Sequence, residues 1–109
     1  MKSMRRALRY DGLLPTVSIA KGESRPAHTE EIRDMKAFID ANRTEHTLFD
    51  IIMDGETPGD DHEEAVSVIR QWADVGATWW IETRWNEPRN SDGLKVARQR
   101  ILQGPPRPD

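Results

Sequence analysis

The spacing of hydrophobic positions changes several times along the chain. In residues 29–42, Ile32, Met35, Phe38 and Ile39 recur at helical spacing, behind Thr29 as the expected N-cap and with Glu30 and Glu31 in the first turn, where the helix dipole favours acids. This predicts an amphipathic helix through about Asn42. "TLFDIIMD", residues 47–54, is rich in aromatic and β-branched residues and too short for a helix, which predicts a strand closed by the turn "GETPG". Asp60 or Asp61 then caps a helix whose apolar stripe is Ala65, Val68, Ile69, Trp72 and Ala73, and Gly76 stands where a left-handed C-terminal cap is wanted. "ATWWIE", residues 77–82, predicts the next strand. Beyond the loop "TRWNEPRN", Ser91 is the expected cap of a last helix carrying Leu94, Ala97, Ile101 and Leu102 and stopped by Gly104, Pro105 and Pro106. Ahead of these come the basic helical stretch "KSMRRALRY", the brief extended piece "DGLLPTV" and the polar loop "SIAKGESRPAH".

A short helix followed by three strand-helix units implies an α/β fold with a parallel sheet and right-handed helical crossovers. Side chains alternate along a strand, so Ala77, Trp79 and Ile81 are expected on one face against helices, and Thr78, Trp80 and Glu82 on the other. A Thr, Trp, Glu face suits a barrel interior better than an open doubly wound sheet, which is apolar on both faces, and the acid falls at the carboxyl end where barrel enzymes keep their sites. Three units do not close an eight-stranded barrel. The expected fold is therefore a partial TIM barrel of about three parallel strand-helix units, one domain over residues 1–109 with a tail at 105–109, its missing strands supplied by a second copy or a complementing barrel half.

With 109 residues the chain is long enough to bury roughly two-thirds of its unfolded surface. Apolar residues make up 36% and charged residues 32%, polar for a globular domain, yet the periodic segments argue for folding. The absence of cysteine excludes a disulfide framework and thiolate chemistry and fits a reducing cytoplasm. The net charge of -3 is mild, and the basic residues divide between an N-terminal cluster (Lys2, Arg5, Arg6, Arg9) and a C-terminal one (Lys95, Arg98, Arg100, Arg107), so no single basic stripe points to nucleic acid. No apolar run approaches the length of a membrane span, and no hydrophobic segment follows the N-terminal cluster as a secretory signal requires. A cytoplasmic protein is expected.

The candidate chemistry is sparse. Asp54, Glu56, Asp60 and Asp61 crowd oxygen ligands together, but without the spacing of a calcium-binding loop, and a turn followed by helix-capping acids explains them better. "GETPG" could offer backbone N–H groups to a phosphate, against the repulsion of those acids. His28, His46 and His62 share no metal-ligand spacing and are expected in solvent. Trp72 and Trp79 fall on apolar faces and are expected in the core, whereas Trp80 either fills a barrel interior or, with Glu82, walls a pocket. Glu82 could serve as an acid or base if its surroundings raise its pKa; pairing with Arg84 or Arg98 is the commoner fate of such a carboxylate.

"RRALRYDGLLP", "FDIIMDGETPGDD", "WADVGATWWIETRW" and "RILQGPPR" together resemble the C-terminal part of the luciferase-like monooxygenases, the family of bacterial luciferase and the deazaflavin-dependent oxidoreductases. The resemblance runs over most of the chain in the family's order and spacing. It implies a TIM barrel that uses FMN or a deazaflavin coenzyme for hydride transfer or oxygen insertion. It also implies that this chain begins past the middle of a full member, without the early strands that supply much of the pocket, and is not expected to be active alone. Carried over residue by residue, Asp11 and Gly12 match the family's "DG" element on the flavin side, and Trp80 and Glu82 match the last strand, whose end opens on the same rim. These four are cofactor-site candidates by resemblance; no catalytic residue and no metal ligand is assigned. The other reading is a non-catalytic, self-associating remnant or interaction module of the same fold.

Overall fold

The parallel sheet grows in one direction only, and this decides which of its faces is covered. In the computed structural model, which describes residues 2–108, the order is α1 (Lys2–Ala7), β1 (Gly12–Leu13), β2 (Thr16–Ala20), β3 (Glu23–Pro26), α2 (Thr29–Asn42), β4 (Asp50–Gly55), α3 (His62–Asp74), β5 (Trp79–Glu82) and α4 (Ser91–Gln103). Met1 and Asp109, the last residue of the expected tail, lie outside the described residues. Strands β1, β4 and β5 pair in parallel in that order, with Leu13 beside Ile51, Met53 beside Trp80 and Gly55 beside Glu82. The fold is mixed α/β, a three-stranded parallel sheet with helices, as the strand-helix alternation predicts.

Adding each new strand on the same side through crossovers of one hand keeps the helices on one face. That face carries Leu13, Ile51, Met53 and Trp80, and packed around them are Met4 and Leu8 from the α1 region, Val17 of β2, Ile32, Met35 and Ile39 of α2, Trp72 of α3 and Val75 at its C-cap. Ile32 and Ile51 are almost wholly withdrawn from solvent. The opposite face carries Ile52, Asp54, Trp79 and Ile81, none of which belongs to this core.

The expected orientation of β5 is thereby reversed. Trp79 is 61% exposed and Ile81 46%, while Trp80 packs on the core and the Glu82 side chain lies on the same, helix-covered side. Alternation correctly separated the two tryptophans; the sides were exchanged because the register sets Trp80, not Trp79, beside the buried Met53.

Other boundaries shift for local reasons. The expected polar loop at 18–28 is largely a hairpin, β2 against β3, turning at Lys21 and Gly22, the latter at φ 80°. The N-cap of α2 is His28 rather than Thr29, because the Glu31 carboxylate reaches back to accept the His28 backbone N–H at 2.8 Å. Arg25 of the hairpin pairs with the same carboxylate at 2.7 Å. Strand β4 begins at Asp50, three residues later than expected, and Leu48 stands in solvent. Asp61 caps α3 by accepting the Glu64 N–H, as expected. For α4 the cap is Asn90, whose side-chain oxygen accepts the N–H groups of Asp92 and Gly93, one residue ahead of the expected Ser91.

The last helix departs furthest from its apolar pattern. It seats Gly93 and Arg100 inward and leaves Leu94, Ile101 and Leu102 in solvent, the last two 77% and 87% exposed. Gly93 permits this seating, since a Cβ there would collide with the carbonyl oxygen of Pro88. The total surface is 8391 Å², whereas a folded monomer of 12.5 kDa is expected to show about 6,200 Å². The radius of gyration, 16.0 Å, likewise exceeds the value of about 13 Å expected at this size. The core is real and small, and much apolar surface is left over.

Candidate functional site

At the carboxyl end of the sheet the chain builds one dense polar cluster, centred on Glu82. Strand β5 ends there, and the Thr57 that follows β4 stands beside it. Glu82 Oε1 accepts the Thr57 backbone N–H at 2.7 Å, and Oε2 accepts the Thr57 hydroxyl at 2.7 Å and the Trp80 indole N–H at 3.1 Å. Two guanidinium groups close the other side, Arg84 Nη2 at 3.4 Å and Arg100 Nε at 3.6 Å from Oε1. Arg100 also donates to the Thr57 hydroxyl at 2.9 Å and to the carbonyl of Gly104, and Arg84 donates to the Thr57 carbonyl at 3.1 Å and to Glu56 at 3.3 Å.

The electrostatics follow from these contacts. Burial pushes the Glu82 pKa up, but the Thr57 N–H and hydroxyl, the Trp80 N–H and the Arg100 charge together outweigh it and hold the carboxyl below its ordinary value. Both Glu82 oxygens are thus occupied, an arrangement that fixes the geometry of the carboxylate. The sequence expectation of an ion pair holds for Arg84; the second partner is Arg100, not Arg98.

What the cluster does is tie three elements together. Thr57 belongs to the loop after β4, Glu82 to β5 and Arg100 to α4, so their mutual hydrogen bonds lock α4 in the rotation that turns Gly93 and Arg100 inward. Beside it lies an open hollow of about 440 Å³ lined by Trp80, Arg84, Ala97, Ile101 and Pro105. The Trp80 ring forms its wall and lies over Gly55, where a Cβ would come within 2.8 Å of the ring.

The four cofactor-site candidates are not gathered together. Trp80 and Glu82 are hydrogen-bonded neighbours on the helix-covered side. Asp11 is exposed and Gly12 pairs with Asp50, at the amino end of β4, while Glu82 pairs with Gly55 at its carboxyl end. Five residues of strand separate those levels, about 16 Å along the sheet. Asp11 instead lies 4.0 Å from Arg43, a nearly buried guanidinium that stacks on Phe49 and donates to the carbonyls of Glu45 and Thr47, clamping the loop before β4.

Thr57 and Arg100 are the residues that sequence reasoning missed. Thr57 falls inside the turn "GETPG", although it follows a strand whose end is a favoured place for polar function. Arg100 shares a helical face with Gly93 and Ala97 at i, i+4 and i+7 spacing, a stripe that the stronger leucine pattern hid. The three histidines are exposed, as expected. No helix among the described residues is long and apolar enough to cross a membrane. No family model, no curated protein and no solved structure matches this chain.

Proposed function

We propose that the chain is a self-associating α/β interaction module, in which the sheet and its last helix present surfaces that another chain must cover. The observation that carries this reading is the bare sheet face, where Trp79 and Ile81 stand exposed beside Ile52 and outside the core. Apolar patches of this kind mark association surfaces in soluble proteins, and the strand edges beyond β1 and β5 add unpaired backbone groups to it. In this reading the Glu82 cluster is a latch that sets the presented surface and is not a reaction centre. The test is thermal unfolding at increasing protein concentration. An associating module gains stability by mass action, so its Tm rises with concentration; a Tm independent of concentration overturns the reading.

One observation favours a second reading, the luciferase-like barrel segment. A parallel sheet with helices on one face only is how the wall of a β/α barrel is made. Under that reading the bare face would look into the barrel, further strands would come from a complementing half or a second copy, and FMN or a deazaflavin coenzyme would supply the redox chemistry. Trp80, Ile101 and Pro105 could flank a planar ring. The remaining fit is partial: the Nη groups of Arg84 and Arg100 are engaged by Thr57, Glu56 and Gly104 while each Nε is buried without a hydrogen-bond partner, and Asp11 and Gly12 lie at the far end of the sheet. The four candidate residues do not by themselves assemble one cofactor site. Titration of FMN and of the deazaflavin coenzyme against tryptophan fluorescence separates the readings. Saturable quenching that Trp80→Phe reduces would favour the barrel segment.

A further inference from the structure

We infer that the bare sheet face receives the outward stripe of α4 from a second copy of the chain, in a head-to-tail contact. The inference rests on the self-association reading and names its two surfaces. The first is Ile52, Asp54, Trp79 and Ile81 on the sheet; the second is Leu94, Arg98, Ile101 and Leu102 on α4, at i, i+4, i+7 and i+8 and hence on one side of the helix.

Three observations lead there. The surplus surface, roughly 2,200 Å² beyond that of an ordinary monomer, matches what one subunit contributes to a large obligate interface. The rotation of α4 is not free to hide its leucines, because Arg100 is tied to Thr57 and Glu82, and Gly93 is seated against Pro88. Charge then selects the pairing. The sheet surface is acidic, with Asp50 and Asp54 among its apolar side chains, and the α4 surface is basic, with Lys95 and Arg98 among its own. Sheet against sheet would bring the aspartates of two copies together, and helix against helix would do the same for Arg98; only sheet against helix sets opposite charges across the contact. The two surfaces lie on opposite sides of the molecule, since α4 packs on the covered face. The contact is therefore heterologous and builds a ring or an open chain.

Heterologous contacts have a distinctive test. A chain carrying Ile101→Asp with Leu102→Asp loses the helix surface and keeps the sheet; a chain carrying Ile81→Asp does the opposite. All three positions are exposed, and circular dichroism with thermal unfolding checks that both variants fold. Each alone should run as a monomer of 12.5 kDa in light scattering at concentrations where the unaltered chain assembles. Mixed in equal amounts they should form a one-to-one pair and nothing larger. In a second series, Asp54→Lys and Arg98→Glu should each weaken assembly about tenfold, and the two together in one chain should recover most of it. A mixture that stays monomeric overturns the inference, as does a helix variant that assembles like the unaltered chain, which would mean sheet against sheet. If the unaltered chain never assembles, the self-association reading falls with it.

Discussion

Trp79 and Trp80 are neighbours in sequence and lie on opposite faces of one sheet, in very different surroundings. Trp80 packs against the core, lies over Gly55 and donates its N–H to Glu82. Trp79 lies outside the core and stands 61% exposed. The contrast shows that topology, rather than local hydrophobicity, decides which side of a small parallel sheet is satisfied. Strands added in one direction send every crossover helix to the same face, and whatever apolar residues the other face carries remain for a partner.

Substitutions on the two sides should differ accordingly, and the largest effect is expected on the latched side. Arg100→Ala should cost about 3 kcal/mol in urea unfolding, because it removes a nearly buried guanidinium that faces the part-buried Glu82 carboxylate and donates to Thr57 and Gly104; a loss below about 0.5 kcal/mol would mean that the latch does not hold α4. Next comes the tryptophan pair. Trp80→Ala should destabilise the dilute chain by about 2–3 kcal/mol, and Trp79→Ala by no more than about 0.5 kcal/mol under the same conditions. Equal losses would erase the distinction between the faces. Asn90→Ala, which removes the cap of α4, should cost about 1 kcal/mol, read as a lowered urea midpoint at unchanged slope.

The smallest effect is on the pH dependence. The Arg25 guanidinium and the His28 N–H hold Glu31 down to about 2, and Glu82 is also held below its ordinary value. Carboxylates depressed in the folded state contribute their full stabilisation above the unfolded value of about 4.5 and lose it as the pH falls through the folded one. The Tm should therefore decline below about pH 4.5, and Glu82→Gln should lower it at neutral pH while making that decline shallower. A decline of unchanged steepness in the variant would show that Glu82 is not depressed.

Much of the fold could be read from the sequence where local signals act alone. The four acids at the starts of α2 and α3, Gly76 and Gly104 at helix ends, and the β-branched run of β4 specify their elements through caps, dipoles and side-chain branching. The hairpin at 16–26 is hard to read because its strands are short, mostly exposed and polar in β3, with Val17 alone packing on the core. The orientation of β5 and the rotation of α4 were not legible because both are set by distant partners, Met53 in one case and Thr57 with Glu82 in the other. The apolar spacing of α4 marks a helix but does not say what covers Leu94, Ile101 and Leu102. Of the site, the carboxylate and its partner Arg84 were visible as neighbours on one strand end; Thr57 and Arg100, 25 and 18 residues away, needed the fold.

The central claim is that this chain satisfies its bare sheet face by association. The most direct test is its native mass, measured by light scattering across a size-exclusion peak from micromolar to millimolar concentration. The account predicts a mass above 12.5 kDa that rises with concentration. A chain that remains at 12.5 kDa throughout and still unfolds in a single cooperative step would contradict it.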